Sequence, residues 1–315
     1  MLAVLLALTA AVSFGGSDYT AGLAAREVGV LRATLAVQAV YAALLMCVVP
    51  FASSQLPSAP SLGWGAAAGV GGVAGAMALY LGFRYAAFSV ASPVSAVVAA
   101  GFSVAAGLLS GERPGALSLA GIALTVPAIV ALSASAAGQA TSPAEGSGAA
   151  AEPVVRDGTV DPAAAHGETR GGLAGRQFVG VMCGLASGVA FGVFLIGLNR
   201  AGSGTDLWPA GVAALVGVVP VACLAARAGE LGPPPPGTRR LCGLTGALAA
   251  SGTISYFLAT HRGLLAVTAV IYSLYPAGTI VLARVLSGER LTMARTSGLF
   301  LAAASVALIA AGTVG

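Results

Sequence analysis

The sequence predicts an all-α integral membrane protein: ten transmembrane helices forming two inverted five-helix repeats. Three observations predict it. First, 57% of residues are hydrophobic, 8% are charged and the mean hydropathy is +0.92, whereas roughly a quarter of a soluble domain is charged. Second, apolar runs of about 20 residues, the length a helix needs to cross the hydrocarbon, recur five times in each half. Third, the pentad Leu-Ser-Gly-Glu-Arg occurs at Leu109 to Arg113 and again at Leu286 to Arg290, an offset of 177. The same offset pairs Phe14-Gly15 with Phe191-Gly192, Val90 with Val267 and Gly121 with Gly298. The two halves are therefore copies of one folding unit.

In the first copy, residues 1–137, the expected spans run Leu2 to Gly16, Val28 to Val49, Leu62 to Phe83, Ser89 to Leu109 and Ala116 to Ala136. In the second, residues 177–315, they run Phe178 to Leu198, Leu207 to Ala226, Leu241 to Thr260, Leu264 to Leu286 and Thr292 to Thr313. Residues 138–176 are rich in Ala, Gly, Pro, Glu and Asp. Such a segment buries too little apolar area to order itself and reads as a disordered extramembrane linker. The first span lacks the basic flank of a secretory signal, and its register partner lies mid-chain, so it reads as a retained helix.

Five spans per copy oblige the second copy to enter the membrane from the opposite face. The halves are then related by an axis in the membrane plane, with a site near the midplane where they meet.

Small residues mark the closest crossings. Gly180, Gly184, Gly188 and Gly192 recur every fourth residue, and their register partners are Ala3, Ala7, Ala11 and Gly15. Two matched smooth faces fit helices that associate by backbone approach in lipid. The third span carries Gly69-Val-Gly71-Gly72-Val-Ala74, a G-x-G-x-x-A string. It has neither the strand nor the polar opening of a dinucleotide turn, so these glycines read as packing or bending positions. Pro93 sits between Ser92 and Ser95, and Pro276 follows Tyr272, Ser273 and Tyr275. Each fourth span thus has a kink beside polar groups, for which a cavity lining and plain packing are both open readings.

Ionisable groups at membrane depth are expensive and are default site candidates. Asp18 ends the first expected span and Arg284 lies inside the ninth; a coupling role or an ion pair is the reading for both. Glu112 and Glu289 each sit beside an Arg in a Gly-containing turn, where capping and loop rigidity account for them. The four cysteines fall singly in apolar runs with no histidine nearby, as apolar packers rather than metal ligands or disulfides. No cofactor is called for, and the dispersed arginines form no nucleic-acid footprint.

Two fused five-span repeats, a Phe-Gly motif in each opening span and a Gly-Glu-Arg turn between the fourth and fifth spans of each copy resemble the drug/metabolite transporter superfamily, EamA type. The resemblance covers nearly the whole chain except the linker. It implies a secondary carrier or exporter of small metabolites with a central cavity lined by the first, third, fourth, sixth, eighth and ninth helices. Opening helices of this family often have Trp before the Gly; here Phe14 and Phe191 stand there. Carried onto this sequence, the cavity candidates are Ser13, Tyr80, Ser92, Ser95, Phe191, Asn199, Tyr256, Tyr272 and Tyr275. Hydroxyls, an amide and rings suit a neutral, zwitterionic or amphipathic solute better than a polyanion. Interfacial anchoring in the aromatic belt is the alternative for each tyrosine, Tyr80 and Tyr256 above all.

The expected function is solute transport across the plasma membrane by a monomer or homodimer, its partners being a small-molecule substrate and the bilayer. A channel or non-transporting scaffold is the alternative. An intramembrane enzyme would need machinery that His166 and His261, without paired acids at depth, do not supply. Charge bias places the arginine-rich odd-numbered loops in the cytoplasm and both termini outside, whereas the family resemblance implies cytoplasmic termini.

Overall fold

The computed structural model describes residues 1–53, 57–85, 88–139, 162–201, 206–278, 282 and 293–312. Among these residues all regular structure is helical: α1 (Leu2–Val28), α2 (Val30–Ala52), α3 (Ala59–Tyr85), α4 (Phe88–Leu109), α5 (Ala116–Gln139), α6 (Pro162–Arg200), α7 (Trp208–Arg227), α8 (Pro236–Thr260), α9 (Leu265–Tyr272) and α10 (Met293–Gly312). Six contain stretches long and apolar enough to cross a bilayer: Leu2–Ala25, Val30–Ala52, Ala59–Gly82, Phe178–Arg200, Trp208–Arg227 and Pro236–Thr260. The other apolar stretches described, Val94–Leu109, Ala116–Ala131, Leu265–Gly278 and Thr296–Ile309, are shorter. Large apolar side chains such as Val12, Val219 and Phe300 stand exposed on the outside. That is costly in water and neutral in lipid, so the chain is a multi-pass helical membrane protein.

Two elements run further than expected. α1 does not stop near Gly16 but continues through Asp18 to Gly29, whose φ of 84° ends it. The polar residues after Gly16 are absorbed without breaking the helix: Thr20 Oγ1 donates to Gly16 O at 2.9 Å, and Ser17 Oγ donates across to Thr245 O at 3.3 Å. Asp18 is thus well inside a span, not at its end. α6 starts at Pro162, within the segment read as linker. Proline is favoured at a helix start, and the following Ala163 to Ala165 are strong helix formers. Residues 140–161 of that linker lie outside the described residues.

The second fourth span breaks where Pro276 predicts. α9 ends at Tyr272, Ser273 and Leu274 form a turn, and helix resumes at Tyr275. Proline at 276 cannot donate to the carbonyl of Tyr272, four residues back. At the turn, Ser273 donates both its N–H, at 2.9 Å, and its Oγ, at 2.7 Å, to Ala269 O. α4 is helical throughout, Pro93 included; that proline's side chain, like Arg84's, lies outside the described set.

Helices pair across the linker. α3 packs along α6, α1 along α8, α5 along α10, α2 along α7 and α4 along both α6 and α9. The seams contain few side-chain atoms and several hydroxyls. Ser187 Oγ donates to Gly75 O at 2.8 Å and lies 2.9 Å from Ser95 Oγ, tying α6 to α3 and α4. Thr20 and Thr245 meet at 2.7 Å between α1 and α8, as do Thr125 and Ser305 between α5 and α10. Gly188 and Gly192 face α4: a Cβ at Gly188 would lie 2.5 Å from Val98 Cβ, and one at Gly192 would lie 2.7 Å from the Phe102 ring. Gly15, Gly180 and Gly184 are buried.

The first pentad makes a latch between the halves. Gly111 adopts φ of 90°, open to glycine and strained for other residues. The turn it makes points Glu112 at the start of α9, where its two carboxylate oxygens accept the N–H groups of Leu265 and Ala266 at 2.7 and 2.9 Å. α9 has no side-chain cap from Leu264 at its own N-cap position, so a carboxylate from the other half supplies it. Arg200, at the end of α6, donates to Ser110 Oγ in the same turn. The second pentad, with Glu289 and Arg290, and also Arg284, lies outside the described residues.

Candidate functional site

The α1–α8 and α3–α6 seams do not close against each other. They leave a cavity, completed by α2 and α7, with about 830 Å³ of space counting its mouth. One wall is smooth, from Ala68, Gly69, Gly72 and Ala76 of α3. Rings form another: Phe14, Tyr80, Phe191 and Phe194. The polar lining comes from Ser17 and Asp18 of α1, Thr34, Gln38 and Tyr41 of α2, and Thr253 of α8. A wider groove at the ends of α1, α3 and α7 shares Ala25 with this cavity and carries Arg227 and Glu230. The groove adjoins the cavity at Ala25, on the side of the α1–α2 and α7–α8 loops.

Most of the polar lining is satisfied internally. Tyr41 OH lies 3.1 Å from Thr253 Oγ1, Gln38 Nε2 donates to Ala214 O at 3.1 Å, and Thr34 Oγ1 donates to Val30 O at 2.7 Å. Asp18 differs. It is half-buried, and among the described residues no hydrogen bond or opposite charge supports its carboxylate. It shares the cavity wall with Tyr80.

The Phe-Gly motif of each opening span has a packing cause. The Phe191 ring lies on Gly75, 2.8 Å from where a Cβ would be, and the Phe14 ring lies on Gly252 at 2.7 Å. Gly75 and Gly252 are themselves 177 residues apart, so the same ring-on-glycine contact is made twice, each time between the two halves. Phe14 continues into an aromatic cluster: it meets Phe194 edge-on at 6.4 Å and Tyr272 at 5.1 Å, and Tyr272 meets Tyr256 at 5.3 Å and Tyr275 at 5.8 Å. The first three of these pairs are edge-to-face, a geometry that stabilises each by about 0.5–1.5 kcal/mol beyond burial, and the Tyr272–Tyr275 pair is tilted.

Of the side chains named from sequence, Tyr80 and Phe191 line the cavity and Asp18 joins them. Tyr272 and Tyr275 form its backing behind Phe14; Tyr275 OH donates to Ser92 O at 3.4 Å. Tyr256 is fully buried and donates to Leu195 O at 3.4 Å, a packing position rather than an interfacial anchor. Ser13 is buried on α1 and Ser95 is engaged with Ser187. Asn199 Nδ2 donates to Thr260 Oγ1 at 2.8 Å, joining the ends of α6 and α8. Sequence reasoning missed Gln38, Tyr41 and Thr253. Thr34, Gln38 and Tyr41 recur at helical spacing on one face of an apolar span, a signal that was there to be read.

The four cysteines are free, and no cluster able to hold a metal occurs among the described residues. No protein-family model and no curated protein matches the sequence. A solved crystal structure, described only as that of a protein, is similar in fold: TM-score 0.67 at 17% identity, over 97% of this chain and 95% of that one.

Proposed function

We propose that the chain is a secondary transporter of a small metabolite or drug-like solute, an exporter of the drug/metabolite transporter, EamA type. It works by alternating access in the plasma membrane. In this reading the ten helices are ten spans in two inverted repeats, the shorter described stretches being completed by residues outside the described set. The observation that carries it is the cavity itself: it lies between two equivalent seams, α1–α8 and α3–α6, each built from one helix of either half. Rocking one pair against the other would open the cavity to alternate faces without unmaking either seam. The ring-on-glycine contacts lie within the two seams and hold each pair together as it moves. The groove adjoining the cavity at Ala25 supports a state open on the arginine-rich side, the cytoplasmic one by charge bias.

Flux in sealed vesicles tests the function. Purified protein reconstituted with a panel of labelled amino acids, sugars and amphipathic drugs is expected to give saturable counterflow of at least one solute. Flux that rises linearly with concentration for every permeant solute would favour a channel, and no flux for any would favour a scaffold.

A further inference from the structure

The Asp18 carboxylate stands in the wall of a cavity enclosed by membrane-spanning helices. It is the sole carboxylate or basic side chain among the described lining residues. Ion-pair partners are absent among those residues; Thr34 Oγ1 donates to Val30 O, and Tyr41 and Thr253 share one hydrogen bond with each other. An ionised carboxylate held this deep is expensive unless a positive charge joins it. Around it stand the rings of Phe14, Tyr80, Phe191 and Phe194. Aromatic faces carry negative quadrupole charge, so they attract a cation and offer nothing to an anion. The smooth wall of Ala68, Gly69, Gly72 and Ala76 leaves room for an apolar body. Arg227 and Glu230, the charged groups at the mouth, form a mixed rim rather than a second site.

We propose that the cavity binds a monovalent organic cation with an aromatic or compact apolar body, Asp18 being its counter-ion and the four rings its cage. This rests on the transport reading and narrows it. The hydroxyl, amide and ring candidates suggested a neutral, zwitterionic or amphipathic solute; the place of Asp18 inside α1 and in the cavity wall adds a negative charge to that lining. No basic side chain described there would hold the carboxylate of a zwitterion.

The test is equilibrium binding of labelled phenyltrimethylammonium to the purified full-length chain in nanodiscs. tert-Butylbenzene, in which carbon replaces the quaternary nitrogen, serves as neutral competitor. Saturable binding is expected, with the neutral isostere at least about tenfold weaker as a competitor. Asp18→Asn is expected to weaken binding of the cation by about tenfold or more, and Asp18→Glu to restore most of it. Equal competition by tert-butylbenzene would overturn the proposal without any variant. So would undiminished binding by Asp18→Asn that elutes as the wild-type species. Asp18-dependent binding without flux of the cation in sealed vesicles would remove the transport reading and support the site. Flux of another solute by protein that does not bind phenyltrimethylammonium would do the reverse.

Discussion

Gly188→Leu is expected to abolish the folded protein, whereas Leu195→Ile on the same helix is expected to be tolerated. The Cβ of the new side chain would lie 2.5 Å from Val98 Cβ and 2.7 Å from the Ser95 carbonyl oxygen. Both neighbours belong to α4 close to its backbone and cannot swing aside. The helices would have to part, breaking the Ser95–Ser187–Gly75 chain of hydrogen bonds one residue away. Loss of close packing over several turns, plus that network, should cost more than about 3 kcal/mol. Leu195 is equally buried, but isoleucine conserves its volume, for a cost below about 1.5 kcal/mol. Size-exclusion profiles in detergent would show it. A monodisperse, wild-type-like Gly188→Leu species would show that α4 and α6 do not meet as described.

Glu112→Gln should be nearly as damaging as Glu112→Ala, although glutamine is almost the same shape. The carboxylate uses both oxygens as acceptors, one for each N–H at the start of α9. An amide keeps one acceptor and turns its NH₂ toward the other N–H, leaving a donor facing a donor. Loss of one charge-assisted bond and exposure of one unsatisfied buried N–H together cost about 2–4 kcal/mol. The expected result is a thermal unfolding midpoint several degrees lower for Glu112→Gln, against little change for Arg113→Gln in the same turn. Equal midpoints for wild type and Glu112→Gln would mean that the latch adds nothing to stability.

Much of the helix inventory was legible because lipid imposes a simple rule: a span must be long and apolar. Helices occur at the expected positions, and six of them are long and apolar enough to cross a bilayer among the described residues. The duplication was legible through Leu109 to Arg113, and the same offset that links the Phe-Gly motifs also links Gly75 to Gly252, the surfaces on which their rings rest. Three things were not legible. The end of α1 was misjudged because Ser17, Asp18 and Thr20 look like a polar exit, whereas hydroxyls bonding to Gly16 and Thr245 carbonyls let the helix run on. Glu112 was read as a capping or loop-rigidity residue, and it does cap a helix, but the N–H groups it accepts from are 153 and 154 positions away, a distance that only tertiary structure can bridge. Gln38, Tyr41 and Thr253 are polar positions within apolar spans, but that α2 and α8 turn them toward one cavity is set by helix packing between distant parts of the chain.

The central claim is that the cavity faces one side of the membrane and then the other, and labelling of a single cysteine in its wall tests that most directly. With the four native cysteines replaced and Ala76→Cys introduced on the smooth wall of α3, a membrane-impermeant maleimide would be applied to intact cells and, separately, to inverted vesicles. Alternating access predicts modification from both sides, slowed from both by a bound solute. Modification from one side only, at any concentration of reagent or solute, would contradict it and leave a pocket that never changes face.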